Sequence, residues 1–264
     1  MGVSDSSEIT AVRRHEGDYG RSQGESNPAP ETFFSSVLAA WWFPLAIGLV
    51  LVLLLARFDG AVDQIKVSGV LRGDLRRELE AVQQFGQGTF SVLIGLVIFL
   101  LDPARRRWLL GWAVSAAVLG VVVTGMKMLI GRVRPRMIDP YDPLLFLGPF
   151  GKYPWTTKAG TIELLSPLQI GKSGVSDLWS MPSSHTAFAV LSAAILARMY
   201  PKIAPVVWGL AATVGVCRLI FDAHYLTDVI AGACVAVAVM RLVLPRIVPE
   251  ACRGGRAKAD GFRA

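Results

Sequence analysis

Apolar residues in this chain gather into long runs instead of alternating with polar ones, and the runs have the length of membrane-crossing helices. A helix needs about 20 mainly apolar residues to cross a hydrocarbon layer. Six segments approach or meet that need: 37–56, 83–101, 108–130, 185–200, 203–221 and 225–244. The first carries Trp41 and Trp42, residues that suit a membrane interface. In the second, the purely apolar part, 90–101, is short. The fourth is short too, and it opens inside a polar motif. The pattern predicts an all-α fold: a polytopic membrane protein whose six-transmembrane-helix bundle occupies residues 37–246.

Two polar stretches interrupt the runs. Residues 57–84 mix Asp74, Arg76, Arg77, Glu78 and Glu80 with Val67, Val70, Leu71, Leu75 and Leu79 at helical spacing. That mixture predicts an extra interfacial helix lying on the membrane surface. Residues 131–182 are rich in turn formers and scattered aromatics, and a connection of that length is usually functional. Residues 1–36 are dominated by Ser, Gly, Glu and Pro and read as a disordered cytoplasmic tail, not a secretory signal. Residues 247–264 read as a basic cytoplasmic tail.

Composition agrees with a membrane protein. Hydrophobic residues make up 53% and charged residues 18% of the chain, against about a quarter charged in soluble domains. A net charge of +7 would suggest nucleic acid for a soluble protein. Here the basic residues sit beside apolar runs, so the expected partners are the bilayer and its anionic headgroups, with no nucleic acid. Cys217, Cys234 and Cys252 form no C-x-x-C pair, which leaves neither a zinc nor a redox motif. Oligomeric state is not encoded in any recognisable way. Lys and Arg favour the cytoplasmic side of short loops. Arg105–Arg107, then Arg198 and Lys202, then six basic residues from Arg241 onward fall on one side of a six-span chain. Both termini are therefore expected in the cytoplasm, in a plasma (inner) membrane, with the long loop outside.

Candidate chemistry lies at the ends of the runs. Lys127-x₆-Arg134-Pro135 closes the third, and its two cations are nearly two helical turns apart. Pro182-Ser183-Ser184-His185 opens the fourth, where a helix N-terminus presents unpaired amides to an anion. Arg218-x₅-His224-x₃-Asp228 joins the fifth and sixth. His224 and Asp228, four residues apart, share one helix face, so the carboxylate can fix the imidazole tautomer. Alone, each motif has a plain structural reading: snorkelling cations, a helix cap, a chance pair. With six alternating spans, however, all three reach the same membrane face. Asp222 is expected to be a loop residue or a local salt-bridge partner, Arg132 and Arg136 ordinary surface charges, and Tyr153, Trp155 and Trp179 interfacial anchors in preference to the lining of a lipid entry route.

These residues resemble the type 2 phosphatidic acid phosphatase superfamily, with its K-x₆-R-P, P-S-G-H and S-R-x₅-H-x₃-D motifs. The likeness covers roughly residues 37–244. Ser184 replaces the family's glycine and Cys217 its serine. The resemblance implies a membrane lipid phosphatase that needs no metal and no cofactor. It implies Lys127, Arg134, Arg218, Ser183 and Ser184 as phosphate ligands and His224 as a nucleophile forming a phosphohistidine. Asp228 would orient His224, and His185 would serve as acid and then base. A neutral His224 working with a protonated His185 predicts a bell-shaped rate profile. Two rivals use the same pocket. A vanadium haloperoxidase is disfavoured by the apolar spans. A transporter or scaffold that binds phosphate without cleaving it has no use for an oriented imidazole.

Overall fold

A computed structural model describes residues 40–64, 72–137, 145–157 and 159–249. The tail expected at 1–36, that expected at 247–264 from residue 250 onward, and Val67, Val70 and Leu71 of the expected surface helix lie outside the described residues. Within them run α1 (Phe43–Leu55), α2 (Asp59–Gln64), α3 (Gly73–Val82), α4 (Gly88–Leu101) and α5 (Arg106–Ile130). After the long loop come α6 (Ser184–Met199), α7 (Ala204–Ile220) and α8 (Leu226–Ile247).

Among the described residues, four continuous helical stretches are long and apolar enough to cross a membrane: Phe43–Asp63, Pro103–Ile130, Pro201–Ile220 and Leu226–Ile247. The expected span at 83–101 is not straight. Residues Gln83–Gly86 form a 3₁₀ turn, Gln87 adopts extended backbone, and α4 departs from the preceding helix at 69°. This bent pair makes a fifth candidate only if counted as one span. The sixth expected segment, α6, has 16 residues. It is therefore about 24 Å long, short of a hydrocarbon layer of about 30 Å.

Its neighbours compensate for that shortness. α6 is the centre of the bundle, packed against α5, α7, α8 and the Gln83–Gly86 turn. Ala187, Ala189, Leu191, Ala193, Ala194 and Ile195 are buried. Small side chains let helices approach closely where no hydrophobic drive from water exists. A hydrogen bond of 3.1 Å between the hydroxyls of Ser91 and Ser192 ties α4 to α6. The outer faces are apolar instead of polar: Leu53, Val92, Leu101 and Val121 are 69–79% exposed. Such a belt fits lipid and would be a liability in water.

α3 is the described part of the expected surface helix. It is polar, carries an Arg76–Glu80 ion pair at 2.9 Å, and packs along α7 with the Arg76 guanidinium over the Phe221 ring. The long loop departs from the all-α expectation by forming an antiparallel hairpin, β1 (Tyr153–Thr156) with β2 (Ile162–Leu165), in register Tyr153↔Leu165. The loop also has its own small core. Tyr153, Trp155 and Trp179 pack on Val133, Leu165 and Leu178, and the Trp179 indole donates to the Pro167 carbonyl at 2.9 Å. These partly exposed aromatics hold the loop together.

Candidate active site

The three motifs meet at one end of the bundle. α5 terminates at Gly131, in the left-handed region at φ 57°, whose N–H donates to the Lys127 carbonyl. Lys127, in the last turn, is buried and donates to the Trp179 carbonyl at 2.6 Å. The chain then runs extended, and the loop clasps it. The Ser180 N–H donates to the Arg132 carbonyl and the Arg134 N–H to the Asp177 carbonyl, both at 2.9 Å. The segment that leads into α6 thereby fixes both cations of the first motif.

Ser183 caps α6: its side-chain oxygen accepts from the Thr186 N–H at 3.4 Å and from the Thr186 hydroxyl at 3.0 Å. It is fully buried, and its own N–H donates to the Asp228 carbonyl at 3.0 Å, which locks the start of α6 to α8. Ser184 and His185 follow, both partly exposed. Their amides lie in the first turn, where a helix supplies no internal acceptors. Two glycines make this close packing possible. A Cβ on Gly232 would stand 2.5 Å from the Ser183 carbonyl oxygen, and one on Gly86 would collide with the carbonyl of His185.

The turn from α7 to α8 supplies the remaining groups. The Arg218 carbonyl accepts from the Ala223 and His224 amides at 3.2 and 3.1 Å, and Asp222 takes a left-handed conformation at φ 50°, a loop residue as expected. The Arg218 guanidinium donates to the Gln83 side-chain oxygen at 2.6 Å. At the start of α8, Asp228 Oδ2 accepts from the Tyr225 N–H at 2.9 Å and lies 3.6 Å from His224 Nδ1. That last separation is an electrostatic contact longer than a hydrogen bond. Resting sites often show such gaps, which tighten when substrate binds.

Lys127, Arg134 and Arg218 lie within one another's electrostatic reach, and His185 feels all three. Burial above all, together with Lys127 and Arg134, pushes His224 down to about 3, while Asp228 pulls the other way. A neutral imidazole thus stands beside a cluster of cations. Burial and the neighbouring Arg136 also lower Arg134 from the usual guanidinium value. Beside Arg218 opens a polar cavity of about 520 Å³, lined by Arg76, Glu80, Gln83, Arg136, Phe221 and Asp222. Among the described residues no cluster of three His, Cys, Asp or Glu could hold a metal ion. Chemically, the arrangement can bind a tetrahedral oxyanion and present a neutral, carboxylate-backed nitrogen to it.

Several participants were not foreseen. Arg132 is no surface charge: 1% exposed, it pairs with Asp228 at 2.7 Å and with Asp59 at 2.8 Å. Burial works against its charge, but the carboxylates of Asp228 and Asp59 more than offset this and raise its pKa. Nothing in the sequence set Arg132 apart from the basic residues around it. Asp59, Gln83, Ser180 and Thr227 had no signal either. Arg136 keeps its surface position and pairs with Asp177.

A solved structure titled as the crystal structure of the first transmembrane PAP2 type phosphatidylglycerolphosphate phosphatase from Bacillus subtilis is similar, with a TM-score of 0.47 and 18% identity. The match covers 84% of this chain and 100% of that one. A search of curated proteins finds no match. The family model described as PAP2 superfamily matches residues 108–250, a stretch that contains all three motifs. With that match over more than half of its length, this multi-pass membrane protein belongs to the PAP2 superfamily.

Proposed function

We propose that the protein is a lipid phosphatase that hydrolyses a phosphate monoester or pyrophosphate of a membrane lipid through a phosphohistidine at His224, without a metal ion. The observation that carries this reading is the buried His224, 3.6 Å from the Asp228 carboxylate and within electrostatic reach of Lys127 and Arg134. The cations would bind the phosphoryl oxygens and stabilise their charge in the transition state. Ser183 contributes through the cap it forms, and Ser184 through its place in the first turn of α6. With Nδ1 toward Asp228, Nε2 attacks phosphorus in line. The P–O bond to the lipid breaks, and His185 gives its proton to the departing oxygen. Water then attacks the phosphohistidine as His185 takes up its proton, the N–P bond breaks, and inorganic phosphate leaves. A bound phosphate dianion offsets the surrounding cations and favours the protonated His185 that the first step needs.

We place the chain in the plasma (inner) membrane with six crossings, the bent α3–α4 pair and α6 included. Both termini then face the cytoplasm and the site faces the other side. Phosphatidic acid, phosphatidylglycerophosphate, polyprenyl pyrophosphate and phosphorylated lipid A are the candidate substrates. A non-hydrolytic phosphate-binding transporter or scaffold would need the cations and the helix start but not the imidazole. The test is phosphate release from these four lipids by protein purified in detergent with excess chelator. Release should persist in chelator, and His224→Ala should abolish it in a folded protein. Undiminished turnover in that variant would remove His224 as nucleophile, and restoration of lost activity by added Mg²⁺ would remove metal independence.

A further inference from the structure

The groups behind His224 extend one layer deeper than the three motifs do. Arg132 Nη1 donates to Asp228 Oδ1 and to the Thr227 hydroxyl, each at 2.7 Å, and its Nη2 donates to Asp59 Oδ2 at 2.8 Å. Asp59 accepts further from the Thr227 N–H at 3.0 Å and from the Thr227 hydroxyl at 2.5 Å. The face of Tyr225 covers the guanidinium, 3.9 Å from ring centroid to Cζ. Asp228 Oδ2, turned toward His224, is held by the Ser180 hydroxyl at 2.5 Å and by the Tyr225 N–H. Asp59, Arg132 and Asp228 are each at most 1% exposed.

A buried ion cluster is an expensive way to hold helices together, since apolar side chains of similar volume often do so as well or better. Its charge balance gives it a different use. Two carboxylates flank one guanidinium, and one of them, Asp228, stands 3.6 Å from the His224 ring. Asp59 shares the guanidinium, so Asp228 is not left alone to offset Arg132. His224 becomes positive as it attacks, so a retained negative charge behind it favours the step. Arg132 also fixes one Asp228 oxygen, which aims the other at the imidazole.

We infer that Asp59 and Arg132 are positioning residues for the reaction: Arg132 holds Asp228 in place, and Asp59 shares the guanidinium so that it does not cancel the Asp228 charge behind His224. This rests on His224 being the nucleophile. The experiment compares wild type with Asp59→Asn in detergent, reading kcat, KM, inhibition by inorganic phosphate, and the rate of phosphoenzyme formation from labelled lipid. Partners of this kind in metal sites typically matter by about 10–100-fold. A kcat loss of that size is expected here, with phosphoenzyme formation slowed in parallel. KM and the phosphate inhibition constant should move less than about twofold, because the cations that bind phosphate keep their places. Asp59→Glu, which restores the charge, should recover part of the rate. Where Asp59→Asn does not fold, Arg132→Lys keeps the cation while losing the fork that spans both carboxylates, and the same split is expected. Unchanged kcat in active protein, or a loss confined to KM, overturns the inference and leaves the phosphatase reading standing. Failure of all three variants to fold makes the cluster structural and also overturns it. A wild type that releases no phosphate from any of the four lipids takes down both.

Discussion

At the scale of single residues, burial sets the behaviour of His224. An ordinary histidine takes up a proton near pH 6.5, whereas this one, 3% exposed, resists until about 3. The unfolded chain therefore binds a proton that the folded chain refuses. Stability linked to this group is complete above about pH 6.5 and drains away as the pH falls toward 3, by up to about 1.4 kcal/mol per pH unit. Thermal unfolding in detergent between about pH 7.5 and 4.5 should show that decline, and His224→Gln should make it shallower. Equal slopes would mean that the imidazole does not exclude the proton. The same refusal keeps the His224 imidazole neutral well below pH 6.5, so on the proposed mechanism an acid-side fall in rate belongs to another group.

At the scale of elements, the start of α6 matters most, because it carries Ser183, Ser184 and His185 and is pinned from two sides. α8 approaches through Gly232 and the Gln83–Gly86 turn through Gly86. Gly232→Ala should force the Ser183 carbonyl to move, at about 1–3 kcal/mol, and lower phosphate release with it. Gly209→Ala, a helix position with nothing within 4 Å of the added carbon, should do neither. Unfolding curves and turnover of the two variants check this. Much at this scale was legible in the sequence: uninterrupted apolar runs reveal α5, α7 and α8, and the order of the three motifs foretells that Lys127, Arg134, Arg218 and His224 come together at one end of the bundle. The 69° break before α4 was hidden, because apolar content says nothing about backbone direction at Gln87. The β hairpin was hidden too, its strands being four residues long with Pro154 in one of them. Arg132 and Asp59 find each other across 73 positions, and a charge beside an apolar run does not name so distant a partner.

For the whole molecule, the apolar outer belt and the polar end of the bundle divide the labour. Exposed apolar residues line α1, α4, α5 and α7, while the three motifs gather where helix ends and a clasping loop converge. The stretch that identifies the family, residues 108–250, carries every motif residue. Yet the counter-ion of Arg132 and the amide that steadies Arg218 are contributed by Asp59 and Gln83, upstream of it. The recognisable part of the chain therefore leans on what precedes it: cut at residue 107, it would lose the Asp59 carboxylate from Arg132 and the Gln83 side-chain oxygen from Arg218. Residues 108–250 made alone should be inactive, and supplying residues 1–107 as a separate polypeptide in the same membrane should restore phosphate release. The opening segment is in this sense a prosthesis for the motif-bearing half, and shortening the protein to its signature would amputate the charge that the signature leans on.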